Sequence, residues 1–185
     1  MLETELKCLI NEDVFNKIKQ MYTWDSGKMQ ENHYYVDTAG VLSKNRTVFR
    51  IRFKDNRYSI QVKAHKNKDG ALQVSEETNF ETDSAPEKLS AELGEKYTGL
   101  KTGELVKLGY NTTLRYSFMW DKNTELCLDK TDYFDVTDYE IEIEYMNGCP
   151  QKLLDELKSA GVEFNEKCKG KYSRFISKFN DIIGK

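Results

Sequence analysis

The sequence predicts an α+β fold in which about eight antiparallel strands form a barrel-like sheet with helices packed outside it. Three observations lead to this prediction. Polar and apolar residues alternate with a period of two through much of the chain, apolar residues recur at helical spacing at the breaks between these stretches, and charged residues share one face of successive strands. Residues 1–185 are expected to form one domain, because nothing in the sequence marks a second one.

Eight segments alternate as half-buried strands do. They are Leu2 to Ile10, Asn32 to Thr38, Thr47 to Lys54, Arg57 to Ala64, Ala71 to Glu81, Thr112 to Asp121, Glu125 to Lys130 and Asp138 to Met146. The polar run from Lys66 to Gly70 predicts a turn between the fourth and fifth of these strands.

Helices are predicted at the breaks by apolar spacing and by end residues. The segments are a helix after the N-cap Asn11 to about Tyr22, one from Ser84-Ala85-Pro86 to about Lys96, a short one over Leu105 to Leu108, one between Pro150 and Gly161, and a last one over Lys171 to Ile183.

Composition excludes several classes of protein. The net charge is -3, from 28 basic and 31 acidic residues, so no basic surface for nucleic acid is expected. The four cysteines form no CxxC pair, and no apolar stretch approaches the roughly 20 residues of a membrane span. Since the first residues also lack the pattern of a secretory signal, we expect a soluble cytoplasmic protein, a monomer or a homodimer, with no membrane partner.

Charged side chains are concentrated on one face of the predicted strands. Glu3, Glu5 and Lys7 stand two residues apart, so all three point to the same side of the first strand. Later strands repeat this arrangement with Arg50, Arg52, Lys63, Glu76 or Glu77, Arg115, Asp129, Glu140, Glu142 and Glu144. If the sheet closes with its apolar side outward, these groups line a wet interior that carries both signs of charge.

The two kinds of charge suit a metal-bound polyphosphate. Carboxylates of Glu3, Glu5, Glu140 and Glu142 are the ligands that Mg²⁺ and Mn²⁺ prefer. The basic residues Arg50, Arg52, Lys63 and Arg115 suit phosphate oxygens, the arginines through their forked donors. Each motif alone is more often a solvated strand face, and it is their conjunction that favours phosphoryl-transfer chemistry.

In their order along the chain, these motifs resemble the CYTH superfamily, the triphosphate tunnel metalloenzymes. The N-terminal Glu3-x-Glu5-x-Lys7 is similar to the family signature. Further matches are Tyr35-Val36-Asp37-Thr38, Arg50-Ile51-Arg52, Lys63, Glu77, Arg115, Leu128-Asp129, Glu140-Ile141-Glu142 and Lys171-Tyr172-Ser173-Arg174. The resemblance covers nearly the whole chain.

The resemblance implies an eight-stranded antiparallel tunnel that binds a small-molecule triphosphate with Mg²⁺ or Mn²⁺. It implies metal ligands at Glu3, Glu5, Glu77, Asp129, Glu140 and Glu142, and phosphate contacts at Lys7, Arg50, Arg52, Lys63, Arg115, Lys171 and Arg174. Glu3, Glu5 and Lys7 would form the catalytic motif, and a metal-positioned water would attack phosphorus.

Several alternatives remain at this point. Glu76 competes with Glu77, and the acidic pair is either Glu140 with Glu142 or Glu142 with Glu144. Whether Cys127 or Asp129 faces a metal is also open. The expected activity is that of a triphosphatase acting on tripolyphosphate, a nucleoside triphosphate or thiamine triphosphate. A class IV-type adenylyl cyclase is the first alternative, and a non-catalytic polyphosphate- or nucleotide-binding module is the second.

Overall fold

A computed structural model describes residues 2–69, 71–164 and 168–184. The elements in chain order are β1 (Leu2–Ile10), α1 (Glu12–Met21), β2 (Lys28–Asp37), α2 (Val41–Lys44), β3 (Thr47–Lys54), β4 (Arg57–Asp69), β5 (Leu72–Thr82), β6 (Lys88–Leu89), α3 (Ala91–Thr98), β7 (Leu105–Asp121), β8 (Thr124–Tyr133), β9 (Val136–Tyr145), α4 (Gln151–Ala160) and α5 (Lys171–Ile183). No helix in these ranges is long and apolar enough to cross a membrane.

Eight of the strands form a closed antiparallel barrel, as the sequence predicts. The order around the barrel is β2-β3-β4-β5-β1-β9-β8-β7, and pairing of β2 with β7 closes the ring. The short strand β6 pairs only with the start of β7, outside the ring. Closure leaves no long unpaired edge, and it turns one face of every strand toward an enclosed space, which we call the tunnel.

The outer face of the barrel is apolar and is covered by helices. On one side, Phe15 and Ile18 of α1 and Leu153 and Leu157 of α4 pack against a buried strand face that includes Ile141. Burying such a side chain contributes roughly 1.5–3 kcal/mol relative to leaving it exposed. The cover therefore allows the barrel to keep its polar faces inside without losing an apolar core.

Helix α5 packs against a group of aromatic side chains at one end of the barrel. Phe175 is fully buried beside Tyr34, with 5.0 Å between the ring centroids, and it also packs against Tyr133. Gly109 on β7 permits this approach, since a Cβ there would lie 3.2 Å from the Phe175 ring and its φ of +143° is strained for other residues. As a result, the first turn of α5 reaches the tunnel.

Three predictions of secondary structure were wrong. The segment Leu105 to Leu108 begins the long strand β7 instead of forming a helix, because it pairs with β2 and β6. Residues 66–69 extend β4 opposite β5 instead of turning, and Gly70 lies outside the described residues. The middle helix begins at Ala91 rather than near Pro86, since the Ser90 hydroxyl accepts the N–H of Leu93 as an N-cap.

Strand β2 begins at Lys28, four residues earlier than the alternation indicated, and α2 was not predicted at all. The Asp37 carboxylate forms this short helix by accepting the N–H groups of Val41 and Leu42 at 2.7 and 2.9 Å.

Candidate active site

The tunnel contains a cavity of about 530 Å³, a size that suits a small-molecule ligand. Its walls are the inward faces of the barrel strands and the first turn of α5. The charged residues among them are Glu3, Glu5, Lys7, Arg46, Arg50, Arg52, Lys54, Lys63, Glu77, Arg115, Glu125, Glu142, Glu144, Lys169 and Lys171. Strand alternation thus placed most of the predicted residues in one cavity, as expected from a sheet that closes on its polar face.

Register between β1 and β9 brings the two acidic motifs side by side. Glu5 lies opposite Glu144, and Lys7 lies opposite Glu142. The Lys7 ammonium is 2.7 Å from Glu5 and 3.7 Å from Glu142, and both carboxylates are almost fully buried. Burial alone would lower the pKa of Lys7, but these carboxylates raise it above its ordinary value, so the amine stays charged. Lys7 therefore bridges the two motifs.

A first acidic group consists of Glu3, Glu5 and Glu144, each of which offers a carboxylate oxygen within 4.8 Å of the others. The Lys63 ammonium lies at its edge, 2.8 Å from Glu3 and 3.2 Å from Glu5. Like charges this close repel strongly in a buried setting. Lys7 is 2.7 Å from Glu5 and Arg115 is 3.6 Å from Glu144, so each carboxylate has a cation beside it, but no cation of the described residues contacts all three.

The pKa values of these three glutamates depend on burial and on their charged neighbours. Burial and the neighbouring carboxylates raise the pKa of Glu144 to about 7, although Arg115 acts in the opposite direction. Burial likewise raises the pKa of Glu3. Glu5 is buried too, but Lys7 and Lys63 hold its pKa below the ordinary value. A cation placed among the three oxygens would therefore favour the charged form of Glu3 and Glu144.

A second acidic group consists of Asp129, Glu140 and Glu142, whose carboxylate oxygens also lie within 4.8 Å of one another. Here the protein supplies its own cations. The Lys171 ammonium is 2.8 Å from Asp129 and from Glu142, and it also contacts Glu140. Burial opposes ionisation of Asp129 and Glu142, yet Arg115 and Lys171 keep the pKa of both carboxyls low.

Arg115 belongs to the same network. Its guanidinium donates to both oxygens of Asp129, at 2.8 and 2.6 Å, and also contacts Glu142. A third carboxylate, Glu144, is 3.6 Å away. Arg115 thus connects the two acidic groups, and its predicted contact with phosphate stays a prediction.

Arg174 lies deeper than the cavity wall. It donates to Asp138 at 2.7 Å and to Glu140 at 2.6 Å, and it contacts the carbonyl of Lys169. Asp129, Glu140 and Arg174 are not among the described residues that line the cavity, so they act on it through Lys171 and Glu142.

Two arginines of β3 have a different environment. The Nε of Arg50 donates to the amide oxygen of Gln61 at 2.8 Å, and the Nε of Arg52 donates to that of Asn32 at 2.9 Å. Among the described residues, neither arginine makes an ion pair with a carboxylate. Burial, together with Arg50 and Arg115, lowers the pKa of Arg52 to about 9. An arginine stays protonated in proteins, so this direction marks a positive charge that the carboxylate of Glu77 only partly offsets.

The structure also separates the alternatives that the sequence left open. Glu77 lines the cavity, whereas the exposed Glu76 pairs with Lys66 at 3.0 Å on the other face. Asp129, rather than Cys127, lies in an acidic group. Of the acidic residues of β9, Glu144 joins Glu3 and Glu5, whereas Glu140 and Glu142 lie together with Asp129.

Neutral side chains of the cavity were missed by sequence reasoning. Asn32 and Gln61 hold the two arginines in place, and His65 of β4 also lines the cavity rather than lying in a surface loop. Burial and nearby cations lower the pKa of His65 to about 4, so it is uncharged near neutral pH. In the sequence, only the alternation along β2 and β4 could have indicated that these side chains face inward.

The donor chemistry of the first acidic group fits a hard divalent cation. Three carboxylates converge, two of them carry raised pKa values, and no ammonium of the described residues reaches all three. Oxygen ligands of this type suit Mg²⁺ or Mn²⁺ without distinguishing them. The second group offers the same donors, but Lys171 already lies among them.

A closed eight-stranded barrel with acidic and basic side chains facing the same internal cavity defines a charged tunnel. The family comparison agrees with this description: the CYTH domain model matches residues 1–166. The chain therefore belongs to the CYTH domain family, and the predicted resemblance is confirmed.

Solved structures share the fold. A Hippeastrum protein, described as a candidate adenylyl cyclase with a dominant triphosphatase activity, superposes with a TM-score of 0.76 at 23% identity over 95% of this chain and 96% of its own. A candidate adenylate cyclase from Bacillus halodurans gives 0.70 at 22% identity, over 94% and 96%. The capping enzyme triphosphatase of Mimivirus gives 0.57 at 16% identity, over 86% and 88%. Comparison with curated proteins gives no match.

Proposed function

We propose that this protein is a divalent-metal-dependent triphosphatase that hydrolyses tripolyphosphate, a nucleoside triphosphate or thiamine triphosphate in its tunnel. One observation carries the proposal. The same cavity contains three converging carboxylates, Glu3, Glu5 and Glu144, and two guanidinium groups, Arg50 and Arg52, that make no ion pair with a carboxylate of the described residues. A divalent cation would bind to the three carboxylates, and a multiply charged anion would bind to the two guanidinium groups.

The acidic half would hold Mg²⁺ or Mn²⁺ through Glu3, Glu5 and Glu144. When bound, such a cation neutralises phosphate oxygens and lowers the pKa of a coordinated water. Lys7 and Lys63 fix the orientation of Glu5, because their ammonium groups lie 2.7 and 3.2 Å from its carboxylate. These residues keep Glu5 ionised and therefore able to act as a ligand.

The basic half would bind the phosphate chain. Arg50 and Arg52 use their Nε donors on Gln61 and Asn32, which leaves the terminal N–H groups of each fork for an anion. Because the guanidinium groups are oriented before the ligand arrives, little further ordering is needed on binding. Phosphoryl transfer is catalysed mainly by such positioning and charge neutralisation, so no nucleophilic side chain is required.

The relatives support this class of reaction. Two of the similar structures are described by their triphosphatase activity, and others by a candidate adenylyl cyclase function. Both reactions use a metal-bound triphosphate, and they differ in whether water or a ribose oxygen attacks. Hydrolysis is the proposal here, since the cavity offers every group that it needs.

The test is product analysis by phosphorus NMR. The purified protein is incubated with Mg²⁺ or Mn²⁺ and, separately, with tripolyphosphate, ATP and thiamine triphosphate, with EDTA controls. Orthophosphate release that EDTA abolishes is expected, and the rates rank the substrates. Cyclic AMP with pyrophosphate would replace the proposal with the cyclase. Metal-independent binding without turnover would replace it with the binding module.

A further inference from the structure

The hydrophobic side chains that line the tunnel cavity all lie at one end of it. Among the described residues of the wall they are Tyr34 of β2, Val48 of β3 and Tyr172 of α5. Val48 and Tyr172 both pack against the buried cluster that contains Tyr34. The other side chains of the wall are polar or charged. This end of the cavity therefore offers an apolar surface, which charged phosphate groups would not cover favourably.

The ring of Tyr172 is supported from behind. Tyr34 lies next to it, with 5.2 Å between the two ring centroids, and is itself fully buried. The Tyr34 hydroxyl accepts a hydrogen bond from the side-chain amide of Asn111 at 3.1 Å, which fixes its position. Tyr172 is only half-buried, and burial raises its pKa to about 12, so its hydroxyl is neutral at physiological pH. Its ring is thus an uncharged surface of fixed orientation in the cavity wall.

This apolar surface directly precedes the two arginines that we assign to the triphosphate. Val48, Arg50 and Arg52 stand two residues apart on β3, so their side chains share one face at steps of about 7 Å. Across the β2–β3 pair, Tyr34 lies opposite Arg50. A ring placed against Val48 and Tyr172 would therefore have its attached phosphates beside Arg50 and Arg52.

The charged residues at this end of the cavity are positive. Arg46, two residues before Val48, and Lys169, three residues before Tyr172, are exposed and line the cavity. Neither makes an ion pair with a carboxylate of the described residues. The carboxylate that acts on Tyr172 is that of Asp37, which does not line the cavity and already caps α2. A ligand that carries its own positive charge would be repelled here.

This combination indicates which kind of ligand group fits. The thiazolium ring of thiamine is a cation, so Arg46 and Lys169 disfavour it. A nucleobase is neutral and aromatic, and it can stack on a tyrosine ring and on the plane of an arginine guanidinium. The exposed hydroxyls of Ser43 and Ser173 also line this end and supply hydrogen-bonding groups for the polar edge of a base. Tripolyphosphate would leave the apolar surface uncovered.

We infer that Tyr172 and Val48 form a specificity site for the base of a nucleoside triphosphate whose phosphates lie along Arg50 and Arg52. The inference rests on the proposed function and narrows its substrates to nucleoside triphosphates, rather than tripolyphosphate or thiamine triphosphate. It assigns Tyr172 to recognition of the base alone, whereas Arg50 and Arg52 serve every triphosphate.

A binding measurement that does not require turnover tests this inference. Titration calorimetry in EDTA compares ATP and UTP with ribose 5-triphosphate, which has the same sugar and phosphates but no base. Thiamine triphosphate is the fourth ligand. The proteins are the full chain, Tyr172→Leu, which removes the ring, and Tyr172→Phe, which keeps it. The matched control is Tyr110→Leu, which removes an exposed tyrosine that does not line the cavity.

For the wild type, we expect ATP or UTP to bind roughly tenfold more tightly than ribose 5-triphosphate, because stacking of one base contributes about that much affinity. Tyr172→Leu should lose this difference and still bind ribose 5-triphosphate as the wild type does. Tyr172→Phe and Tyr110→Leu should keep the difference.

Three results would overturn the inference. They are equal affinity of the wild type for all three ribose compounds, a preference for the base that survives in Tyr172→Leu, and an equal loss of affinity for every ligand in that variant. A thiamine triphosphate affinity above that of ATP and UTP, lost in Tyr172→Leu, would assign the site to a cationic ring and would also overturn it. Since no hydrolysis is measured, a protein that prefers ATP but does not hydrolyse it would refute only the proposed activity.

Discussion

The ammonium group of Lys171, in the first turn of α5, lies 2.8 Å from the carboxylate of Glu142 in the middle of β9. This contact joins the last helix to the inside of the barrel. It supplies a positive charge that all three carboxylates of the second acidic group share, whereas no cation of the described residues contacts Glu3, Glu5 and Glu144 together.

Replacing Lys171 by Met should destabilise the fold. Asp129, Glu140 and Glu142 would then be buried together without their shared ammonium, and removing one partner of a buried pair costs about 3 kcal/mol or more. Urea unfolding measures the loss. The control is Lys178→Met on the same helix, which breaks a more exposed ion pair with Asp135. This variant should lose much less free energy of unfolding. Equal losses in the two variants would show that Lys171 does not stabilise the acidic group.

Mg²⁺ should rescue Lys171→Met more than it stabilises the wild type. A divalent cation can take the place of the ammonium among the three oxygens, which already lie within 4.8 Å of one another. Thermal unfolding with and without Mg²⁺ compares the two proteins. An identical shift in Tm for both would argue that the second acidic group cannot accept a metal.

The same substitution should have opposite effects at two arginines. Arg52→Met removes a half-buried charge that makes no ion pair with a described carboxylate, so the free energy of unfolding should rise by roughly 1 kcal/mol while tripolyphosphate binding weakens. Arg115→Met removes the guanidinium that Asp129 and Glu142 share and leaves Lys171 as the cation that contacts both, so stability should fall by about 3 kcal/mol. Chemical unfolding and calorimetry measure both quantities. Destabilisation by Arg52→Met with unchanged affinity would place Arg52 in a structural role.

Glu5→Gln should reduce metal-dependent turnover by roughly a hundredfold or more while the barrel stays folded. The amide keeps the size of the side chain but removes the charge that Lys7 and Lys63 maintain. Steady-state rates and circular dichroism test this prediction, with the exposed Glu95→Gln as the control. If Glu5→Gln turns over at the wild-type rate, Glu5 is not a metal ligand.

Glu144 should give stability a specific pH dependence. Its pKa of about 7 in the folded protein lies above the ordinary 4.5, so the folded state binds more protons between these values. Its contribution is therefore greatest below about pH 4.5 and is lost as the pH rises to about 7. His65, with a lowered pKa of about 4, has the opposite slope in an overlapping range. The difference between the unfolding free energies of the wild type and Glu144→Gln isolates Glu144, and a pH-independent difference would contradict its raised pKa.

Sequence alternation predicted the barrel strands because a closed sheet with a polar interior requires a period of two along each strand. It failed where a short segment fits two periods, as at Leu105 to Leu108. It also failed where partner strands stabilise a polar segment, as for residues 66–69, which are paired along β5. In both cases tertiary pairing overrode the local pattern.

The site was predictable to the level of strand faces. Alternation along each strand predicted that the side chains of Glu3, Glu5, Arg50 and Arg52 face inward. It does not predict which side chains contact each other across the barrel. The β1–β9 register decides that Glu144 lies beside Glu5. Only the packing of α5 decides that Lys171 contacts carboxylates, and so the division into neutralised and unneutralised cations had to come from the structure.

The measurement that tests the account most directly is anomalous diffraction from a crystal of the protein with Mn²⁺ and tripolyphosphate. The account predicts a manganese peak bound by Glu3, Glu5 and Glu144, with phosphate density against Arg50 and Arg52. A manganese peak away from these carboxylates, or tripolyphosphate bound outside the tunnel, would contradict it.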